Sequence, residues 1–444
     1  MSVIVQLFDE LITVLQTMLQ ILPYLVGYVA LIMATTVIWR MVKRFLTPKS
    51  DFGSLKTVTF GDASAVTSNM AASVISVVFI FLVWGAFTGS KLVPGFVHMP
   101  GAFQGEVTFS YDIELPDGAT TSAQAKVVVF PAGTAAPAVE IEEGTGSAKN
   151  DAIAIQSYRN KLLAWDKNDE FNRKAGARIV AIEGQPVSAG GEVELDNLRV
   201  AVTSKGTLNI EPNKGVQMEK IWLPAPEDVV SRLIEIGSEG FKNITLAEHL
   251  AYSLFRVVVG FIIGAAVGIP LGYAMGLSDW FRGWFDPIVE FMRPVPPLAL
   301  IPLVIIWAGI GEVGKIILLF LAALWIMAIA ARSGVSGVRI SKVHAAYSLG
   351  ASKWQVMRHV IIPNSLPEIF TGARVAMGVC WGTVVAAELV AAEKGVGMMI
   401  MVAAKFQQTD IVILGIVVIG IVGLAIDLLV RWAERVMVPW KGRG

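Results

Sequence analysis

The sequence predicts an all-α polytopic membrane bundle carrying one inserted, β-rich α+β domain. Of 444 residues, 54% are hydrophobic and only 16% are charged, the balance of a chain that spends much of its length in lipid. Several apolar runs reach the roughly twenty residues needed to cross a hydrocarbon core about 30 Å thick. Residues 100–222 are different material, with almost no apolar run and with acids outnumbering bases. Residues 106–115 alternate strictly there, with Val107, Phe109, Tyr111, Ile113 and Leu115 on one face, as in a half-buried strand.

Residues 1–20 form an amphipathic helical pattern with Leu7, Leu11, Leu15 and Leu19 on one side. The apolar run 21–39 is long enough to span, and Arg40, Lys43, Arg44 and Lys49 follow it directly. A cleaved signal peptide carries its positive charge before the apolar run, where this chain has Asp9 and Glu10. The positive-inside rule places the N-terminus outside and residues 40–66 in the cytoplasm. A second span, 67–88, returns the chain outward.

Within 100–222 the strand candidates are 106–115, 126–130, 138–142, 178–183, 192–202 and 207–210. A helix is expected over 151–165, with Ile155, Tyr158, Leu162 and Trp165 on its inner stripe. About 120 residues so patterned can bury a core of their own. By the charge rule this domain lies outside the membrane.

The core bundle begins near Leu246. The span 250–277 carries Gly260, Gly264, Gly268, Gly272 and Gly276 at intervals of four, one stripe along which another helix can approach closely. Pro270 is expected to bend it. Pro294, Pro296, Pro297 and Pro302 break the next segment, 285–310, into two pieces. Irregular backbone at membrane depth survives where protein covers it or where it lines a cavity. Arg293, Pro296 and Pro297 are therefore candidate pathway residues, and Glu388, close to the outer surface at the end of a later span, is another; Glu290 and Arg293 are expected to pair at a spacing of three. Spans at 315–331, 366–390 and 411–429 complete seven, with a polar outer connection at 391–409 that has room for a short helix. Asp427 stands four before Arg431, as in an ion pair. The C-terminus falls in the cytoplasm.

One polar interruption stands out at 344–363, HAAYSLGASKWQVMRHVIIP. Ala345, Ala346 and Gly350 offer a small-residue surface, and Gly350 is expected to mark a bend between two short helices. Pro363 is expected to end the second. Arg339, Lys342, Lys353 and Arg358 make the segment basic, while Tyr347, Trp354 and Met357 are candidate hydrophobic anchors. Such an elbow suits docking.

Other chemistry is not suggested. Lysines plus arginines equal aspartates plus glutamates at 36 each, so neither nucleic acid nor an acidic partner is indicated. Cys380 is the only cysteine, and His98, His249, His344 and His359 have no metal-ligand spacing. No nucleophile with its base and no phosphate loop with Lys appears, so the chain is expected not to be an enzyme.

The elbow resembles the coupling loop of ABC-importer permeases, whose pattern is Glu-Ala-Ala, three residues, Gly, nine residues, Ile-x-Leu-Pro. Ala345, Ala346, Gly350 and Pro363 match in register, Val360 and Ile362 are aliphatic substitutes, and His344 stands where the family has Glu. From Leu223 to about Trp440 the chain resembles the nitrate/sulfonate/taurine branch, through LPAPEDVV, RPVPPLALIP, GIGE and VAAELVAA; GTVVAAELVAA and NSLPEIFTGARVAMG are most like taurine permeases. The resemblance implies a type I ABC importer permease in a bacterial inner membrane. It also implies a second permease subunit of the same kind, two ABC ATPase subunits that use ATP and Mg, and a periplasmic solute-binding protein. The solute would be taurine or another sulfonate, with nitrate or bicarbonate as the alternative. Residues 1–66 then look like an added N-terminal span and linker, 67–99 the first family span, 100–222 a periplasmic insertion, and 223–444 the permease core with its coupling loop at 339–363. Two other classes stay open: a membrane-anchored sensor with a ligand-binding outer domain, disfavoured by short inner connections, and a gated channel that needs no ATPase.

Overall fold

The computed structural model describes residues 70–440 apart from 143 and 145, together with scattered helical positions between 23 and 42. The pattern at 1–20, and most of the run at 21–39 and of the linker at 40–66, lie outside the described residues. The described chain divides between Lys220 and Ile221 into two units.

The first unit opens with α1 (Met70–Thr88), apolar throughout, with Val77 and Ile80 exposed as on a helix that faces lipid. Its C-terminal end is bonded to both ends of the segment that follows. Met99 N–H donates to Ala86 O at 3.1 Å, Met218 N–H to Phe87 O at 2.9 Å, and Gln217 Nε2 to Met99 O at 2.7 Å.

Nine strands come next: β1 (Gly105–Glu114), β2 (Thr120–Phe130), β3 (Asp151–Gln156), β4 (Lys161–Leu163), β5 (Arg178–Ile182), β6 (Gln185–Pro186), β7 (Glu192–Glu194), β8 (Leu198–Val202) and β9 (Leu208–Pro212). They form a five-stranded sheet in the order β3-β2-β1-β5-β6 and a four-stranded sheet in the order β4-β9-β8-β7. Alternation fixes which face is buried: Phe109, Tyr111 and Ile113 from β1 join Val127, Ile155, Trp165, Val200 and Ile210 in one core.

Three expectations are corrected here. The helix expected over 151–165 is two strands, and the domain's described helical residues are only short 3-10 turns at Trp165–Lys167 and Arg173–Ala175, so it is β rather than α+β. Asp151, Ile153 and Ile155 are buried at period two, pairing in parallel with β2, and that extended pairing outweighs the helical spacing of Ile155, Tyr158, Leu162 and Trp165. Tyr158 has φ 67°, a value no helix interior allows, and Leu162 is 59% exposed. No strand forms at 138–142, where Val139 and Ile141 are only half-buried. The run 192–202 is a hairpin, closed over Asp196 and Asn197 by Leu195 N–H donating to Leu198 O at 2.8 Å.

The second unit is helical. It contains α2 (Pro226–Ser238), α3 (Leu246–Leu277), α4 (Asp279–Met292), α5 (Ile301–Ala308), α6 (Glu312–Ser336), α7 (Ile340–Ser348), α8 (Lys353–Val356), α9 (Ile362–Ala391), α10 (Val396–Lys405) and α11 (Thr409–Met437). Thr245 and Glu248 start α3 with a reciprocal capping box. Among the described residues five helices are long and apolar enough to span a membrane. A sixth span exists if α4 and the Pro297–Ala308 segment count together, although they meet at 93°. The prolines of RPVPPLALIP produce that bend, since none can donate into a continuing helix. Val257, Leu319, Ala323, Ile369, Trp381 and Ile426 form the bundle's core.

Candidate functional site

The glycine stripe of α3 lies against α6. A Cβ placed on Gly264 meets Ala323 Cβ at 2.6 Å, one on Gly268 meets Leu324 O at 2.6 Å, and one on Gly276 meets Val335 Cβ at 2.8 Å. Gly260 and Gly272 are equally tight, against Leu319 Cβ at 2.4 Å and Ala328 O at 2.3 Å. Only glycine lets the two backbones approach this closely along more than four turns, so α3 and α6 form a tightly packed pair.

At one end of that pair is the elbow. Helix α7 stops at Leu349, and Gly350 adopts φ 83°. Gly350 N–H donates to Tyr347 O at 2.9 Å and Ala351 N–H to Ala346 O at 3.1 Å, the paired bonds of a Schellman cap that calls for a left-handed residue. Ser352 and Gln355 then start α8 with a second capping box. The bend at Gly350 is as the sequence predicts. Pro363 is not: it sits in the first turn of α9, and chain direction continues from α8 through a π turn at Met357–Ile361. The wide turn absorbs the missing donor, and Asn364 Nδ2 donates to Val360 O at 2.6 Å. Lys342 Nζ donates to Asn364 Oδ1 at 2.7 Å, tying α7 back to α9.

The elbow presents apolar groups to solvent. Leu349 is 89% exposed, Trp354 69% and Tyr347 46%, beside exposed His344 and Ala345; Ala346 and Met357 are half-buried. Leu349 was not singled out by sequence reasoning, because one apolar residue ahead of a glycine breaks no pattern. Val356, in contrast, is buried and anchors the hinge.

At the other end of α3 and α6 lies a charge cluster. Arg256 is 1% exposed; its Nη1 donates to Glu388 Oε1 at 2.5 Å and to Lys394 O at 2.8 Å, while Nε and Nη2 grip Glu312 at 2.6 and 2.7 Å. Glu388 also accepts from Ser253 Oγ at 2.8 Å and Gly397 N–H at 3.0 Å. Ser253 Oγ in turn accepts from Val396 N–H, and His249 Nδ1 accepts from Gly395 N–H, both at 3.1 Å. A Cβ on Gly395 meets the Glu388 carboxyl at 2.3 Å, so the loop before α10 is folded onto that side chain. Lys315 completes the pairing of Glu312 at 3.0 Å.

The remaining pathway candidates are elsewhere. Arg293 is exposed and 3.7 Å from Glu290, which Arg332 of α6 also holds at 2.7 Å. Pro296 is exposed and Pro297 half-buried at the α4–α5 bend, and neither they nor Arg293 joins Glu388. Arg374 is engaged by Glu434 at 2.6 Å and Asp427 at 3.4 Å, and Asp427 pairs with Arg431 at 2.7 Å, the expected i,i+4 pair. Sequence reasoning missed Ser253, Glu312 and Gly395, since each is distant along the chain from its partner. Among the described residues no cluster of His, Cys, Asp and Glu could hold a metal.

Apolar helices locked by a glycine seam, with the buried arginine, lysine and glutamates of the bundle held in ion pairs, define a multi-pass helical membrane protein. Residues 264–439 match the family described as the binding-protein-dependent transport system inner membrane component, and the chain belongs to that family. It is 48% identical to the taurine transport system permease protein TauC of Escherichia coli (strain K12), over 50% of this chain and 81% of that protein. It is 40% identical to the putative aliphatic sulfonates transport permease protein SsuC of the same organism, over 49% of this chain and 82% of that one. It is 30% identical to the nitrate import permease protein NrtB of Synechococcus elongatus, over 49% of this chain and 81% of that one.

Proposed function

We propose that this chain is the permease subunit of an ATP-driven importer that takes taurine or another small sulfonate from a soluble binding protein. The elbow carries the reading. A glycine-jointed pair of short helices, the first following α6 after a break at 337–339 and the second running on into α9, exposes Leu349, Trp354 and Tyr347 as a surface suited to a partner's cleft. The partner would be an ABC ATPase subunit, present in two copies and supplying ATP and Mg, with a second copy of this permease completing the pathway. His344, Ala345, Ala346, Tyr347, Gly350, Trp354 and Met357 would form the contact, with Pro363 seating the elbow on α9. The ordering of identities, 48% and 40% to taurine and sulfonate permeases against 30% to a nitrate permease, favours a sulfonate over nitrate or bicarbonate.

In this reading the elbow and the C-terminus are cytoplasmic and the N-terminus external. Residues 67–99 act as the first family span and 100–222 as a periplasmic insertion ahead of the core at 223–444, with 1–66 an additional span and linker. Solute recognition would not fall to Arg256 or Arg374, whose charges are taken by carboxylates of the chain.

The test is reconstitution with the ATPase subunits and the binding protein loaded with taurine, nitrate or bicarbonate in turn. Taurine-loaded protein should stimulate hydrolysis most. A bulky residue at Gly350, such as Gly350→Trp, should leave hydrolysis uncoupled from uptake while membrane insertion is kept. Unchanged uptake in that variant would sink the proposal.

A further inference from the structure

A second site lies where α9 and α11 meet. A cavity of about 360 Å³ is lined by Arg374, Arg431, Glu434, Arg435, Val438 and Pro439. Three guanidinium groups therefore face one space with one carboxylate. Glu434 is committed to Arg374 and Asp427 to Arg431, which leaves Arg435, exposed and without an ion pair among the described residues, as the uncompensated charge.

The depth of the cavity identifies its occupant. Ile411 to Val430 covers about 30 Å of helix, the thickness of a hydrocarbon core, so Arg431 and Arg435 emerge at headgroup level. They are four residues apart and share a face. Leu428, Leu429, Trp432 and Val436 are each more than 55% exposed along the same helix, the stripe that faces lipid, and Trp440 is 45% exposed just beyond. Tryptophans at this level mark the interface between hydrocarbon and water. A basic cavity between helices at that height, flanked by an acyl-chain surface, suits a ligand with an anionic phosphodiester head and two hydrocarbon tails.

We propose that the cavity binds the headgroup of an anionic phospholipid, its phosphate seated between Arg431 and Arg435 and its chains along Leu428 and Trp432. The lipid belongs to the leaflet on the elbow's side, because α9 leaves the elbow at Ile362 and α11 returns to that side. Only the naming of that leaflet as cytoplasmic rests on the proposed function.

The test uses the full-length chain in mild detergent, with phosphatidylglycerol or phosphatidylcholine added and bound lipid counted by native mass spectrometry. Wild type should retain phosphatidylglycerol over phosphatidylcholine. Arg435→Gln should weaken that retention about fivefold, and Arg431→Gln with Arg435→Gln further, from the charge lost near a membrane surface. Arg435→Lys should keep most of it, and Arg199→Gln, an exposed arginine of the β domain, should change nothing. Equal retention by wild type and Arg435→Gln would overturn the proposal. So would displacement of the lipid by millimolar glycerol phosphate or taurine, which would make this a site for a free oxyanion. None of these readings needs the ATPase or uptake, so a failed import assay leaves this result standing, and the reverse also holds.

Discussion

Arg256 and Glu388 stand 132 residues apart in sequence and 2.5 Å apart in space, both shut away from solvent. Their pairing joins α3 to the end of α9, and through Glu312 to the start of α6. Two ions so placed in a membrane bundle are tolerable only together, because each alone would have lost its hydration with no partner. Glu388 is moreover saturated by Ser253 Oγ and Gly397 N–H, so it also fixes the loop before α10. A change in spacing between α3, α6 and α9 must therefore be met by rearrangement at this cluster.

Removing one partner should be severe in an uneven way. Glu388→Ala leaves a buried guanidinium half-paired and should destabilise the chain by about 3 kcal/mol. Glu312 is 47% exposed, so Glu312→Ala should cost about 1 kcal/mol or less. Thermal denaturation in detergent compares the two directly. Equal midpoints for both variants would show that burial does not set the value of this pair.

The glycine seam makes a sharper contrast between positions of the same type. Gly272→Ala drives a methyl into Ala328 O at 2.3 Å, which is backbone and cannot rotate away. Overpacking of this kind costs about 1–3 kcal/mol. Gly283, in α4, has nothing within 4 Å of an added Cβ, and Gly283→Ala should stabilise its helix by about 0.5–1 kcal/mol. Unfolding midpoints that moved the same way for both would argue against close packing as the reason for the stripe.

Much of this architecture was legible because its causes are local and periodic. Five glycines at intervals of four can face only one neighbour, and the bend at Gly350 follows from what a Cβ forbids. Strict alternation in residues 106–115 likewise named β1. The errors arose where two periods coincide: Ile155, Tyr158, Leu162 and Trp165 fit a helix, while Ile153 and Ile155 fit a strand, and pairing with β2 decided between them. Pro363 was misjudged because a π turn, invisible in the sequence, lets helix continue past it. Of the charge cluster only Glu388 stood out in the sequence, since nothing along the chain links Ser253, Arg256, Glu312 and Glu388.

The β domain carries a titration of its own. Asp151 is buried beneath Tyr111, whose hydroxyl donates to its Oδ2 at 2.6 Å. Burial raises the carboxyl to about 6, and the nearby Asp169 adds to the shift while the Tyr111 bond opposes it. A raised carboxyl binds its proton more tightly when folded, so this group's contribution is greatest below pH 4 and is lost as pH rises through 6. Asp151→Asn keeps the Tyr111 bond without the charge. In the full-length chain its β1–β3 amides should exchange more slowly than wild type at pH 7, with the difference shrinking toward pH 5. A difference independent of pH would remove Asp151 as the cause.

The tip of the elbow separates docking from folding. Leu349 is 89% exposed and touches little, so Leu349→Ser should leave the unfolding midpoint of the isolated chain unchanged. Burying a leucine against a partner contributes about 1.5–3 kcal/mol, so the same variant should weaken association with the ATPase roughly tenfold or more. Trp354→Ser should act in the same direction, its ring being 69% exposed. Val356 provides the opposite control, since it is 2% exposed and Val356→Ser should lower the unfolding midpoint whether or not a partner is present. Pull-down of the ATPase subunits with each variant, alongside denaturation of the variant alone, gives both numbers. If Leu349→Ser bound as tightly as wild type, the exposed apolar tip would have to serve something other than this contact.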